Sequence, residues 1–283
     1  MRRTVLASLA VVTTLAPAAD AAAAGFYVGE QDPIAAGRGL AVTARLEAPS
    51  TLFYNPAGIG FLKGLHVQAG GTLVLPLFTY EDPEGLHPSV DASRDMAVMP
   101  HVYGVYGIND KLAVGLGFNS PFALSLQWPQ GFGGESSTAG ISMKVPTLYL
   151  GASYRPLKSL SFGASFRVSP ATVEMVQQFK LVSDAGVMDY GYAHLAGSAI
   201  GFGASFGVMA RPVDRLHVGF SYLSRMKLSF GNGLVHFGLP DGMTDNSVFH
   251  DQGGSAAITT PDILSLGVGY EILRNLYVEF DFD

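Results

Sequence analysis

The sequence predicts an all-β protein: a transmembrane antiparallel β-barrel with a compact, partly helical plug ahead of it. Three observations carry that prediction. Only 14% of the residues are charged while 48% are hydrophobic, against roughly 25% charged in ordinary soluble domains. Beyond the N-terminus no stretch reaches the ~18 uninterrupted apolar residues that a spanning helix needs. From about residue 64 onward, large apolar residues alternate with small or polar ones at a period of two. That is the pattern of strands with lipid on one face and a lumen on the other.

The chain begins with a positive Met1-Arg2-Arg3, an apolar run over 5–16 and small residues at Ala22-Ala23-Ala24. Residues 1–24 therefore read as an export signal, too short for a comfortable membrane anchor. Residues 25–64 lack alternation. Ala35-Ala36-Gly37-Arg38-Gly39-Leu40-Ala41 is small and close-packing. In Thr51-Leu52-Phe53-Tyr54-Asn55-Pro56-Ala57-Gly58, the Asn-Pro step starts a turn and the proline offers no donor to a sheet ladder. Asn55, Pro56, Ala57 and Gly58 are thus expected in a rigid, irregular segment packed against something else.

Residues 65–283 read as barrel wall. Leu112, Val114, Leu116 and Phe118 share one face; Leu160, Phe162, Ala164, Phe166 and Val168 alternate with Ser161, Gly163, Ser165 and Arg167. The same rhythm runs through Leu216, Val218, Phe220 and Tyr222, through Leu264, Leu266, Val268 and Tyr270, and through Leu276, Val278, Phe280 and Phe282. About nine strands are expected, near 65–79, 96–108, 111–121, 141–155, 158–180, 196–212, 215–230, 261–272 and 275–283. Short turns at 107–110, 155–158, 211–214 and 272–275 alternate with long loops at 81–93, 125–140, 183–194 and 231–259. This is the periplasmic and extracellular asymmetry of outer-membrane barrels. A barrel in lipid leaves no free edge and has an even strand number. Since the alternation breaks off within the ninth strand, the chain is expected to be the N-terminal part of a longer, incomplete barrel.

Several functions are disfavoured. There is no cysteine, so neither disulfides nor thiolate metal sites arise, and the net charge of -6 argues against a nucleic-acid surface. The seven histidines show no metal-ligand spacing. Gly203-Ala204-Ser205-Phe206-Gly207 matches G-x-S-x-G, but it lies in an alternating strand where a hydrolase needs a strand, an elbow and a helix. No catalytic residue, metal or cofactor is expected. Phe122, Leu124, Leu126, Trp128 and Phe132 fall in or beside the long loop at 125–140, a greasy surface outside a barrel and a candidate site for apolar ligands.

With these residues laid out, the chain resembles the FadL-type outer-membrane transporters of long-chain fatty acids and other hydrophobic compounds. The resemblance runs through Gly25-Phe26, Ala36-Gly37-Arg38-Gly39, the segment from Ser50 to Gly58, Ser120-Pro121-Phe122 with Trp128, Val145-Pro146-Thr147 and Thr260-Pro261-Asp262-Ile263-Leu264-Ser265-Leu266-Gly267. It implies a monomeric barrel of about 14 strands in the bacterial outer membrane, among lipid and lipopolysaccharide. Its N-terminal hatch would contain Asn55, Pro56, Ala57 and Gly58 as gate residues. It implies passive uptake of long-chain fatty acids or similar hydrophobic molecules. Phe122, Leu124, Leu126, Trp128 and Phe132 would line the capture loop. A kinked strand with Gly115, Gly117 and Pro121 would provide a lateral exit into the membrane. An aromatic-hydrocarbon channel of the same family, or an adhesin or structural barrel, are the competing readings.

Overall fold

The computed structural model describes residues 26–283, apart from residue 86 and segments 130–131, 135–138, 184–185 and 240–249. The export signal at 1–24 lies outside the described residues.

Two short helices, α1 (Pro33–Gly37) and α2 (Thr51–Tyr54), and a 3-10 turn (Pro56–Phe61) precede the wall. Asp32 starts α1: its Oδ1 accepts from the backbone N–H of Ile34 at 2.6 Å and of Ala35 at 3.0 Å, and proline occupies the first turn. Asn55 starts the 3-10 turn in the same way, its Oδ1 accepting from Ala57 N–H at 3.1 Å.

The wall is built from β1 (Gly64–Val74), β4 (Ala97–Gly107), β5 (Leu112–Gln127), β6 (Gly140–Leu157), β7 (Leu160–Ser183), β8 (Gly186–Val213), β9 (Leu216–Leu223), β12 (Ile263–Leu273) and β13 (Leu276–Phe282). Neighbours in that order pair antiparallel, and β10 (Lys227–Gly238) joins β8 to β11 (Gln252–Thr259). A separate hairpin, β2 (Thr79–Tyr80) with β3 (Val90–Asp91), stands in the first long loop. No helix among the described residues is long and apolar enough to cross a membrane; the strands cross.

The faces follow the alternation. Leu116, Leu150, Phe166, Phe202, Val268 and Phe280 are all at least half exposed and point outward. So many large apolar side chains on one surface fit a hydrocarbon solvent rather than water. The inward face carries Gly151, Gly163, Gly207 and Gly219 with Ser153, Ser161, Ser165, Ser205 and Ser221, and the N-terminal segment packs on it. Leu52, Phe53, Ile59 and Leu62 of the plug bury against Tyr103, Val105, Ala113 and Tyr149 of β4, β5 and β6. Each such side chain contributes about 1.5–3 kcal/mol.

Strand limits differ from expectation at several places, beginning with β1, which ends at Val74 rather than at 79. β5 continues to Gln127, so Phe122, Leu124 and Leu126 are strand residues rather than loop residues, because pairing resumes beyond a bulge as Phe122 with Val145 through Gln127 with Gly140. The strand expected over 215–230 divides at Ser224–Met226 into β9 and β10, stitched to the next break by Arg225 Nε donating to Asp262 Oδ2 at 2.7 Å. The loops expected at 183–194 and 231–259 are largely hairpin: β8 begins at Gly186, and β10 and β11 pair across 227–259. The small, unalternating Gly253-Gly254-Ser255-Ala256-Ala257 forms strand because its partner's edge is free to bond it, not through side-chain pattern.

Candidate functional site

The expected gate segment packs against the inward face of β7, β8 and β9. Asn55, Pro56, Ala57 and Gly58 are all buried. Asn55 Nδ2 donates to the Thr43 carbonyl at 2.8 Å and across to the Val208 carbonyl of β8 at 3.2 Å. Ser161 Oγ donates to the Ala57 carbonyl at 2.7 Å, and Ser221 Oγ to the Tyr54 carbonyl at 2.6 Å. The wall allows this approach only through missing side chains. A Cβ at Gly163 would lie 2.2 Å from the Pro56 carbonyl carbon, and one at Gly207 would lie 2.0 Å from Asn55 Oδ1. Gly58 is held as closely, a Cβ there meeting Thr51 Oγ1 at 2.0 Å.

Carboxylates of β13 latch the plug as well. Asp281 Oδ2 accepts from the Val42 and Thr43 N–H groups at 2.8 Å each, and Glu279 Oε1 from Ala44 N–H at 2.6 Å. Near β1, Asp32 accepts from Ser50 Oγ at 2.7 Å and from Gln68 Nε2. Burial alone would raise the Asp32 carboxyl, but hydrogen bonds from Gln68, Ser50, Ala35 and Ile34 together hold it below its ordinary 3.8.

The expected kink region divides its residues. Gly115 and Gly117 pair regularly with both neighbouring strands, and their lack of a side chain makes room for Leu52 and Tyr103. The irregularity lies higher, between Asn119 and Phe122, where Pro121 and Phe122 are buried in succession. Just below it the β4–β5 ladder ends at Val102 with Phe118, although β4 continues back to Ala97 and β5 on to Gln127. The plug's first residues occupy the edge of β5 that β4 leaves: Val28 N–H donates to the Pro121 carbonyl at 2.8 Å and Ala123 N–H to the Phe26 carbonyl at 3.0 Å. An apolar cavity of about 520 Å³ fills the wedge, running from Phe26 and Val28 past Met99, Ala123 and Leu124 to the outward-exposed Val98.

Of the remaining expected ligand residues, Trp128 and Phe132 stack at 5.0 Å with Tyr80 edge-on to Phe132 at 5.3 Å. This aromatic group sits at the loop end of β5. Phe122 faces inward instead, in a cluster with Met143, Val145, Ala171, Val173, Leu228 and Phe230, against which Leu124 packs. Ser205 faces Ser165 Oγ at 2.5 Å within the unbroken strand β8, without the elbow that a nucleophile requires. Among the described residues no group of side chains has metal-binding geometry.

Sequence reasoning placed Arg167 on the lumen face and gave it no role. The structure buries its side chain completely, at 0% exposure. Nη2 donates to the Ser224 carbonyl, but Nε and Nη1 have no partner. Arg167 pairs across the ladder with Tyr149, whose hydroxyl lies near Arg167, Thr147 and Asn119 but makes no well-formed hydrogen bond, as is true of Oδ1 of Asn119. Among the described residues no carboxylate lies within ion-pair distance of the guanidinium, and the polar group beside it is the Tyr149 phenol. Above it on the same face of β7 come Ser169, Ala171 and Val173, leading into the apolar cluster.

An antiparallel wall with an apolar exterior, an N-terminal plug packed on its inward face and a strand bulge bonded by the plug's first residues is the arrangement of a plugged outer-membrane barrel protein. A family model described as outer membrane protein transport protein (OMPP1/FadL/TodX) matches residues 13–283, and the chain belongs to that family. The fold is shared with a Pseudomonas aeruginosa FadL homologue, with TM-score 0.69 and 19% identity over 91% of this chain and 68% of that one. It is shared too with the Ralstonia pickettii toluene transporter TbuX, with TM-score 0.64 and 15% identity over 86% and 69%. "Putative outer membrane protein NMB0088" of Neisseria meningitidis serogroup B is 34% identical over 136 residues, 45% of this chain and 28% of that protein. The chain thus spans well under the full length of this relative and about two thirds of the two structural ones.

Proposed function

We propose that the protein carries long-chain fatty acids or similar hydrophobic acids passively across the outer membrane, as a monomer whose outer face meets lipid and lipopolysaccharide. The observation that supports the acid is Arg167. A buried guanidinium without a carboxylate is costly, and a ligand carboxylate able to accept from Nε, Nη1 and the Tyr149 hydroxyl would relieve that cost. The apolar chain would extend along the cluster above, stabilised by roughly 25 cal/mol per Å² buried.

In this reading the Trp128 and Phe132 stack with Tyr80 captures the ligand from the lipopolysaccharide side. Phe122, Leu124 and Leu126 guide it inward along β5. Residues 25–64 act as the hatch and 65–283 as the channel wall, with Asn55, Pro56, Ala57 and Gly58 as the gate. The wedge at Pro121, covered from inside by Phe26–Val28, is the lateral exit, and Gly115 and Gly117 below it seat the plug. A ligand leaving there enters the membrane without crossing water. The aromatic-hydrocarbon reading keeps every one of these parts except Arg167, since such ligands carry no charge to pair with it.

The test is displacement of a fluorescent long-chain fatty acid from the refolded full-length protein by oleate and, separately, by toluene. Oleate should displace the probe, and Arg167→Gln should weaken oleate much more than toluene. Displacement by toluene alone would shift the assignment to aromatic hydrocarbons. No binding of either would return the barrel to an adhesin or structural role.

A further inference from the structure

At the opposite end from the loops, the short turns and the underside of the plug enclose a second cavity, of about 440 Å³. Its position among the turns places it on the periplasmic side. Its lining is cationic although the chain as a whole carries a net charge of -6: Arg45 and Lys63 come from the plug, Arg155 and Lys158 from the β6–β7 turn region, and Arg211 from the end of β8. Three acids partly offset them. Glu47 lies 3.0 Å from Arg45 and 3.9 Å from Arg211, Glu271 pairs with Arg45, and Asp110 lies 2.6 Å from Lys63.

Three cations remain weakly matched. Arg155 spends Nε and Nη2 on the Asp110 backbone carbonyl, at 3.1 and 2.9 Å, and among the described residues neither it nor Lys158 forms an ion pair. Among the described residues the ion pair of Arg211 is the long contact to Glu47, and its Nε is buried without a partner. Two guanidinium groups approach the ring of Phe61, Arg211 at 4.4 Å and Arg155 at 5.3 Å from its centroid. The ring attracts each of them, but it also holds two like charges close together beside the same cavity. An anion between them would offset that repulsion and give Arg211 Nε its missing acceptor.

We infer that this cavity is an anion site on the periplasmic face, taking a carboxylate or phosphate group through Arg155, Lys158 and Arg211. It is separate from the lumenal Arg167 and does not depend on which ligand the lumen takes. Guanidinium forks favour planar or tetrahedral oxyanions over halides. A free anion and the head group of an inner-leaflet lipid offer the same chemistry.

The experiment is calorimetric titration of the full-length protein, in zwitterionic detergent at low salt and pH 7, with inorganic phosphate and separately with acetate. At least one should bind saturably and weaken as salt rises. The double variant Arg155→Gln/Arg211→Gln should weaken binding about tenfold or more, and Lys158→Gln, at an exposed position, should weaken it less. The tighter of the two anions identifies the group the site selects, and adding vesicles that contain anionic phospholipid to a phosphate-binding protein separates a head group from the free ion by competition. The inference is overturned if neither anion saturates, or if binding is unchanged in the folded double variant. Should the double variant fail to fold, unchanged binding in Lys158→Gln overturns it instead.

Discussion

Asn55 Nδ2 donates to the Val208 carbonyl at 3.2 Å, a side-chain hydrogen bond from the centre of the plug to the backbone of the wall. The same amide group donates to Thr43 and, through Oδ1, caps the turn at Ala57. One buried side chain therefore ties two plug segments and one strand together. Asn55→Ala removes the acceptor for the Ala57 N–H and the donor to the Thr43 carbonyl, at a cost of about 1–3 kcal/mol for each buried group left without a partner, while the Val208 carbonyl stays within the β-ladder. The loss should be local. Hydrogen exchange should quicken in residues 42–62 while wall amides stay protected, and uptake should be impaired. Unchanged exchange and unchanged uptake in this variant would remove Asn55 from any gating role.

Close packing of plug on wall makes a second expectation. Gly163→Ala would press a methyl group into the Pro56 carbonyl, and Gly207→Ala into Asn55. The first obstacle is backbone and the second is an amide held by hydrogen bonds to Thr43, Val208 and Ala57, so each should cost about 1–3 kcal/mol and displace the plug. Gly231→Ala, where nothing lies within 4 Å, is the control and should leave stability unchanged. Thermal unfolding of the three variants in one detergent checks the order.

Acid should loosen the plug at Asp32. Its folded carboxyl titrates below the ordinary 3.8, so its stabilisation is fully present above that value and is lost as pH falls below 3.8 through the folded value. Protection factors for the N–H groups of Ile34 and Ala35 should hold at pH 5 and drop at pH 3. Asp32→Asn keeps a capping oxygen but has no titration there. Its protection should be the same at both values, and a drop equal to the wild type would assign the acid response to other groups.

The wall was legible in the sequence because a period of two maps directly onto two faces. Leu116 and Phe166 face out and Gly163 and Ser205 face in, as the alternation requires. Strand ends were less legible where a bulge shifts the register, so Phe122 reads as loop although it pairs with Val145. The strand at 252–259 was missed because its pairing rests on backbone bonds, which small residues do not advertise. Asn55-Pro56 was recognisable as a rigid turn, but its bonds to Thr43 and Val208 depend on partners 12 and 153 residues away. Arg167 fell on the correct face; its meaning comes from what surrounds it, two unpartnered nitrogens opposite the Tyr149 hydroxyl, and spacing along one strand carries none of that.

On the proposed route, the wedge beside Pro121 would separate binding from release. Ala123 lines the cavity that joins the Phe26 segment to the outward face, and its backbone N–H holds the Phe26 carbonyl at 3.0 Å. Ala123→Phe keeps that backbone bond and fills part of the 520 Å³ space with a ring. Binding at the Arg167 level should change little, because the new side chain enters the wedge cavity, which Arg167 does not line. Release should fall, so equilibrium displacement by oleate stays as in the wild type while uptake into cells slows. Trp128→Ala should act in the reverse order, lowering capture by removing a stacked pair that contributes about 0.5–1.5 kcal/mol beyond its buried area, with the exit intact. Wild-type uptake by a folded Ala123→Phe protein would mean that the ligand leaves by another route, through the plug itself, and the wedge would then be a structural seam closed by Phe26–Val28.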